Sequence, residues 1–289
     1  MVKHLLSVGD FSRKEIEDLI TVSVDVKMHP EKYSDSLKNR TLIMLFQKPS
    51  TRTRISFEAG MTRLGGHAIY FDPSGSQLSR GESVEDTAKT LAGYADAVMA
   101  RVFAHETVSE LAKNSIIPVI NGLSDLEHPC QILADLFTMK ECGKLEGKIV
   151  YVGDGNNVCN SLIVAAKILD LDFTVSCLDG FDPSIEGANI IRDPAKAVED
   201  ADVIYTDAWI SMGDEKEKEA MEKAFMPYQV NSELVSHAKK DFVFMHCLPA
   251  HRGFEVTDEV IDSENSVVFT QAENRMHMQN AILLKLVKG

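Results

Sequence analysis

At 289 residues the chain is about twice the length of a typical domain, so one large or two medium domains are indicated. Apolar residues at 44% and charged residues at 26% are globular proportions, which exclude disordered, collagen-like and coiled-coil chains. A formal charge of −14 gives a surface that repels phosphate backbones and anionic lipid, so no nucleic acid and no membrane partner is expected.

Elements follow in alternation along the chain. Ser12 with Glu15 three residues on forms a capping-box pattern for a helix over Arg13–Met28. Thr41–Phe46 reads as a buried strand. Residues 50–64 read as a helix with Phe57, Met61 and Leu64 on one face. His67–Phe71 is a second strand, 83–94 a helix capped by Ser83 with Asp86, Ala97–Arg101 a third strand and 117–120 a fourth. After a long helix over 129–142, Leu145-Glu-Gly-Lys148 resets the chain, and strands over 148–152, 172–177, 202–206 and 242–246 repeat the pattern. The segment 273–288 has helical apolar spacing. Short apolar strands separated by helices are what parallel sheets covered on both faces require, so two α/β domains of similar size are expected.

Cys130, Cys142, Cys159, Cys177 and Cys247 are odd in number and irregular in spacing, which suits neither a disulfide framework nor a zinc ribbon. Residues 1–10 lack the apolar run of a secretory signal, and no window approaches the ~18 apolar residues of a membrane span. A cytoplasmic protein is expected.

Polar clusters fall where strands end, the place where open α/β sheets bind ligands. Ser50-Thr51-Arg52-Thr53-Arg54 opens a helix with three hydroxyls, two guanidiniums and unpaired N–H groups, a combination suited to phosphate. The alternative is a serine-capped helix with its arginines in solvent. His128-Pro129-Cys130-Gln131 starts the next long helix, with Pro129 at its first position. His128 and Gln131 share one side of the first turn and, with Arg101, offer donors for a carbonyl oxygen. In isolation such a histidine is more often a cap.

Gly153-Asp-Gly-Asn-Asn157 invites a dinucleotide reading, but the third glycine of G-x-G-x-x-G is replaced by Val158. Asp179 stands where a ribose-binding acid would, which keeps that alternative open, and Asn156 with Asn157 also fits a plain turn pair. Asp207-Ala-Trp-Ile-Ser-Met-Gly213 precedes an acidic, lysine-rich helix. Asp207 and Ser211 suit an ammonium group and Gly213 a mobile loop; the alternative is a helix entry with Trp209 as packing anchor. Cys247, within Phe244-Met-His-Cys-Leu-Pro249, fits a reactive thiol or a small core residue equally. The spacing of His246, Cys247 and His251 is not a usual zinc pattern.

Together, Ser-Thr-Arg-Thr-Arg, His-Pro-Cys-Gln, Asp-x-Trp-x-Ser-Met-Gly and His-Cys-Leu-Pro resemble the ornithine carbamoyltransferase family in order and spacing, over nearly the whole chain. The first two motifs are similar to those of all carbamoyltransferases, including the aspartate enzymes; the last two are similar to the ornithine branch. The resemblance implies an α/β protein of two Rossmann-like domains, each a parallel sheet flanked by helices. A carbamoyl phosphate domain would span 1–142, completed by a C-terminal helix at 273–289 that returns to it, and an ornithine domain 143–272.

By the same resemblance Ser50, Thr51, Arg52 and Thr53 hold the phosphate of carbamoyl phosphate, while Arg101, His128 and Gln131 address its carbamoyl end. Gln77 is similar to a family residue that reaches across a subunit boundary, which implies a homotrimer or a multiple of trimers. Asn157, Asp207, Ser211 and Met212 would bind the amino-acid end of L-ornithine, Cys247 and Leu248 would lie beside its side-chain amine, and Arg275 matches a further active-site arginine. Catalytic roles fall on Cys247, Arg101, His128 and Asp207, with Cys247 as proton acceptor and no covalent intermediate. The products are citrulline and phosphate, in arginine metabolism, with no cofactor and no metal expected. Arg52, Arg54, Arg101 and Arg275 would make a positive pocket in a negative protein.

Overall fold

A strand that is apolar at nearly every position needs cover on both faces, and Thr41–Phe46 (β1) has it: Leu42 through Phe46 are each at most 5% exposed. The computed structural model describes residues 2–75, 77–209, 221 and 223–288. It divides into two units, residues 1–137 with 273–289 and residues 138–272.

In the first unit β1 pairs in parallel with His67–Phe71 (β2) and with Ala97–Arg101 (β3), and β3 pairs with Val119–Leu123 (β4), in the order β2-β1-β3-β4. Arg13–Met28 (α1) leads in, and Thr51–Arg63 (α2), Val84–Ala92 (α3) and His105–Lys113 (α4) lie between the strands in sequence. The capping box of α1 forms as its spacing requires: Ser12 Oγ accepts from the Glu15 N–H, and the Glu15 carboxylate accepts from the Ser12 N–H at 3.0 Å. Ile43, Leu45, Val98 and Ala100 pack with Leu91 of α3 and with Val108 and Leu111 of α4. The alternate residues Leu42, Met44 and Met99 point the other way, as the two-residue strand period dictates, and are also fully buried.

The second unit repeats the plan with Ile149–Val152 (β5), Phe173–Ser176 (β6), Asn189–Ile190 (β7), Val203–Thr206 (β8) and Val243–His246 (β9). All pairs are parallel and the order is β7-β6-β5-β8-β9. Pro129–Glu141 (α5) enters this unit, and Asn157–Leu169 (α6), Pro194–Val198 (α7), Ser232–Val235 (α8) and Asp258–Ile261 (α9) follow. Strand order reverses between β5 and β8, so the turn after β5 and the residues after β8 and β9 share one edge of the sheet.

The last helix, Val268–Val287 (α10), belongs to the first unit from Glu273 onward. Lys27 Nζ of α1 donates to Asn274 Oδ1 at 2.9 Å, and Ser23 Oγ donates to Met278 Sδ at 3.5 Å. At Gly60 of α2 an added Cβ would stand 2.3 Å from Asn280 Oδ1, so only glycine allows α2 this close to α10.

Three elements depart from the sequence reading. β4 begins at Val119, two residues later than expected, because Pro118 has no N–H to donate; its carbonyl still accepts from Val98. It then runs on through Asn121-Gly122, a turn-like pair, since a Cβ at Gly122 would meet the Met99 sulfur at 2.4 Å. α4 carries no side-chain cap of its own: Asp125, twenty residues away, accepts the His105 N–H at 2.8 Å. α10 starts five residues before the expected 273, where Gln271 bonds the His246 N–H at 2.9 Å and the Tyr205 hydroxyl at 3.2 Å.

Asp202 anchors the start of β8, accepting from Lys239 Nζ at 2.6 Å, the Lys148 N–H at 3.0 Å and Lys144 Nζ at 3.4 Å. Burial by itself would raise its pKa, but these bonds outweigh it and hold the carboxyl below its ordinary value. A depressed carboxyl pKa contributes stability that is present above about pH 4 and lost as pH falls through the folded-state value. Asp202→Asn is therefore expected to lower the thermal midpoint at pH 7, with the deficit shrinking as pH falls below about 4; a circular-dichroism melting series from pH 7 downward checks it.

Candidate active site

In the first unit the turn after β1 becomes the first turn of α2. Ser50 is extended and caps the helix, its Oγ accepting from the Thr53 N–H at 3.3 Å. Thr51 is exposed and Arg52 half-buried on that turn, where the helix N-terminus carries partial positive charge. Thr53 is fully buried, and its Oγ1 accepts from Arg275 Nη2 of α10 at 2.8 Å. That bond leaves the hydroxyl hydrogen of Thr53 able to donate elsewhere. Arg54 turns away from this set: it pairs with Glu58 at 3.3 Å and lies over the Tyr70 ring at 4.2 Å, so the expected four-arginine pocket does not include it.

Arg101 ends β3 at a bulge. His128 is 4% exposed, and its carbonyl opens α5 by accepting from the Gln131 and Ile132 N–H groups. Burial first, then the charges of Arg275 and Arg101, push the imidazole pKa well below its ordinary value, so His128 is neutral at pH 7. Burial likewise raises the Cys130 thiol to about 12, which keeps it protonated. Gln131 Nε2 donates to Asp135 Oδ1 at 2.9 Å. A carboxylate only accepts, so the amide orientation is forced, and Gln131 Oε1, buried and without a partner among the described residues, is left able to accept. The carboxamide thus offers an acceptor beside the second N–H of Nε2.

Lys48, two residues before the Ser50 cap, belongs to none of the four motifs. Burial and the charge of Arg101 push its ammonium pKa down, and its Nζ lies 4.6 Å from the centre of the Phe103 ring. Gln77 is exposed on the segment between β2 and α3, and among the described residues no hydrogen bond joins it to the Ser50 turn.

In the second unit the residues after β5, β8 and β9 converge. Cys247 Sγ donates to Asp207 Oδ1 at 2.9 Å, and Asn156 Nδ2 donates to Asp207 Oδ2 at 2.8 Å. Leu248 adopts φ 57, uncommon for a leucine, with its N–H donating to His246 Nδ1 at 2.9 Å. With Nδ1 accepting, His246 Nε2 carries the proton and donates to Glu255 Oε1 at 3.1 Å. Asp207, His246 and Cys247 lie within 4.8 Å of one another, but both His246 nitrogens are spent on protein, so the trio does not form a metal site. Burial would raise the Glu255 carboxyl; the bonds from His246 and the His251 N–H hold it below its ordinary value.

Asn157 is half-buried at the first position of α6. Ser211, Met212, Gly213 and most of the acidic, lysine-rich segment after them lie outside the described residues. Trp209 is 3% exposed and stacks on Phe225, as the packing-anchor reading holds.

The dinucleotide alternative fails on packing. A Cβ at Gly155 would stand 2.3 Å from Pro183 N, and the Gly155 N–H donates to the Phe181 carbonyl. A Cβ at Gly153 would lie 3.3 Å from Trp209. These glycines make room for the protein's own chain, and Asn156 takes up the first N–H groups of α6 that a pyrophosphate would need. Asp154, between them, has its carboxyl pushed up to about 7 by burial and by the charge of Asp207.

An anion-suited helix start beside a neutral histidine, and a thiol–carboxylate pair at the ends of a second parallel sheet, define a group-transfer protein on paired α/β sheets. Residues 3–141 match the family model for the aspartate/ornithine carbamoyltransferase carbamoyl-P binding domain, and residues 146–286 match the model for the Asp/Orn binding domain. Ornithine carbamoyltransferase of Archaeoglobus fulgidus is 51% identical over 302 residues, covering 99% of this chain and 98% of the relative. That of Methanosarcina acetivorans is 49% identical with full coverage of both chains. The solved structure of ornithine carbamoyltransferase from Pyrococcus furiosus superposes with a TM-score of 0.95 at 49% identity, covering 99% of this chain and 97% of the other. The chain belongs to the aspartate/ornithine carbamoyltransferase family.

Asp154 predicts a pH signature. Its folded-state pKa, about 7, exceeds its ordinary value of 3.8, so the folded protein holds the extra proton between those values and loses stability as pH rises through that window. Asp154→Asn is expected to melt at the wild-type temperature near pH 4 and above it at pH 8, by an amount on the order of 1–4 kcal/mol. Calorimetric melts at the two pH values check the sign.

Proposed function

We propose that the chain catalyses the ornithine carbamoyltransferase reaction, moving the carbamoyl group of carbamoyl phosphate to the side-chain amine of L-ornithine to give L-citrulline and phosphate. The observation that carries this reading is the 2.9 Å contact between Cys247 Sγ and Asp207 Oδ1 in a chain whose relatives are named for ornithine. The amine must lose a proton to attack, and a thiol and a carboxylate sharing one proton can take a second.

The first unit handles carbamoyl phosphate in this reading. Ser50, Thr51, Arg52 and the N–H groups of the α2 start hold the phosphate and stabilise it as it leaves. Arg101, the neutral His128 and the Thr53 hydroxyl donate to the carbonyl oxygen as it becomes an oxyanion. The Thr53 hydroxyl is directed by Arg275, and Gln131 Oε1 accepts from the carbamoyl NH2. The second unit handles the amino acid: Asn157, Asp207, Ser211 and Met212 bind its amino-acid end, and Cys247 and Leu248 stand at the side-chain amine. The nitrogen–carbon bond forms and the carbon–oxygen bond to phosphate breaks; one ammonium proton passes to the Cys247–Asp207 pair and the second goes to the departing phosphate. No electrons change hands.

The same reading makes the protein a cytoplasmic homotrimer or multiple of trimers acting in arginine biosynthesis. Among the described residues none of the five cysteines is joined in a disulfide, which suits a reducing compartment. Ile55, Ile69 and Tyr70 are exposed on α2 and on the edge strand β2, which suits contact with a second copy, and the exposed Gln77 suits a residue offered to a neighbour.

Purified protein with carbamoyl phosphate and L-ornithine should form citrulline, with aspartate and putrescine poor acceptors; absence of product across pH 6–9 sinks the reading. Arg52→Ala should weaken carbamoyl phosphate binding at least ~10-fold, while Cys247→Ser should leave that binding intact and lower kcat by about 10²–10³. Equal loss of carbamoyl phosphate binding in both variants, by calorimetry, defeats this division of labour. Light scattering should return three times the chain mass or a multiple of it.

A further inference from the structure

We propose that Asn156 is a positioning residue for Asp207: its side-chain amide clamps the carboxylate in the orientation that receives the Cys247 thiol. This rests on the reading of Cys247 and Asp207 as the proton-handling pair. The turn-pair reading gave Asn156 no part in the chemistry.

The amide works at both ends. Oδ1 accepts from the Val158 N–H at 2.9 Å and the Cys159 N–H at 3.2 Å, capping α6, and from the Tyr151 hydroxyl at 3.2 Å. Backbone N–H groups only donate, so the oxygen must face them and Nδ2 must face Asp207 Oδ2, which it meets at 2.8 Å. The other carboxylate oxygen receives the Cys247 thiol at 2.9 Å and the Ala208 N–H at 2.8 Å. With one oxygen tied to the start of α6 and the other to the residues after β8 and β9, rotation of the carboxylate breaks bonds on both sides. Orientation is therefore set by the helix cap, itself held by Tyr151, which is buried and stacked on Tyr205.

The choice of asparagine supports this. A helix cap asks only for an acceptor, and serine or aspartate would serve as well. Aspartate supplies no donor, and serine has a single oxygen, without the second polar atom that meets Oδ2 of Asp207 while the first caps the helix. Asparagine does both.

Cap-preserving variants separate the two roles. Asn156→Ser keeps the cap and removes the clamp. Asn156→Asp keeps the cap and sets a second carboxylate against Asp207. Among the described residues the groups facing Asp207 are Asp154 on the turn after β5, Tyr151 on β5, His246 at the end of β9 and Cys247 just after it. Two adjacent carboxylates resist joint ionisation, so the acid limb of the kcat/KM profile for ornithine should move up by about one pH unit or more in Asn156→Asp. Asn156→Ser should lower kcat/KM for ornithine about 10–100-fold while leaving carbamoyl phosphate binding and the melting temperature close to wild type.

The reaction is not the only readout. Alkylation of Cys247 by iodoacetamide, followed peptide by peptide against pH, should shift to higher pH in Asn156→Asp and to lower pH in Asn156→Ser. If both variants keep the wild-type alkylation profile, Asn156 is only a cap and the proposal is overturned, whether or not citrulline forms. Absence of citrulline from the wild type together with shifted alkylation would overturn the functional reading and leave the clamp standing.

Discussion

Arg275 donates to the hydroxyl of Thr53 across 222 residues of sequence, and both side chains are buried. The bond joins α10 to the start of α2 and brings a guanidinium to a helix N-terminus that already carries positive partial charge. Two consequences follow. His128, facing Arg275 and Arg101 in the same buried setting, is neutral at pH 7. And a chain with a formal charge of −14 contains a locally positive interior, so the sign of the whole surface is no guide to the ligand.

The second unit solves a different problem on the same architecture. Parallel strands buried on both faces leave only their ends for chemistry, and the reversal of order between β5 and β8 brings three strand ends to one edge. Where nucleotide-binding sheets keep glycines so that a pyrophosphate can approach, Gly153 and Gly155 here make room for Trp209 and for the 181–183 backbone. The space is filled by protein, and the first helix turn is capped by Asn156. A two-glycine turn is compatible with either use, and only the identity of the neighbouring atoms separates them.

Local signals were legible wherever their physics is local. The capping box at Ser12, the cap at Ser83 and the cap at Ser50 all form because donor and acceptor stand three residues apart. α4 escaped notice because its N-terminal partner, Asp125, is distant in sequence. In the first unit Ser50, Arg101 and His128, and in the second Asp207 and Cys247, stand out as polar residues at strand ends. Lys48, Asp135, Asp154 and Asn156 do not, because their part depends on what faces them.

The sequence by itself determined the alternation of buried strands and helices, the two α/β units and the motifs at their strand ends, since hydrophobic period, caps and turn residues act over a few positions. Only the tertiary structure decided which atom of each motif is presented. Asp135 turns the Gln131 oxygen outward, Glu58 and Tyr70 remove Arg54 from the pocket, Leu248 and Glu255 occupy both nitrogens of His246, and Asn156 fixes the carboxylate of Asp207. Hydrogen-bond direction and the electrostatics of burial depend on neighbours from remote parts of the chain, and those neighbours exist only once the chain has folded.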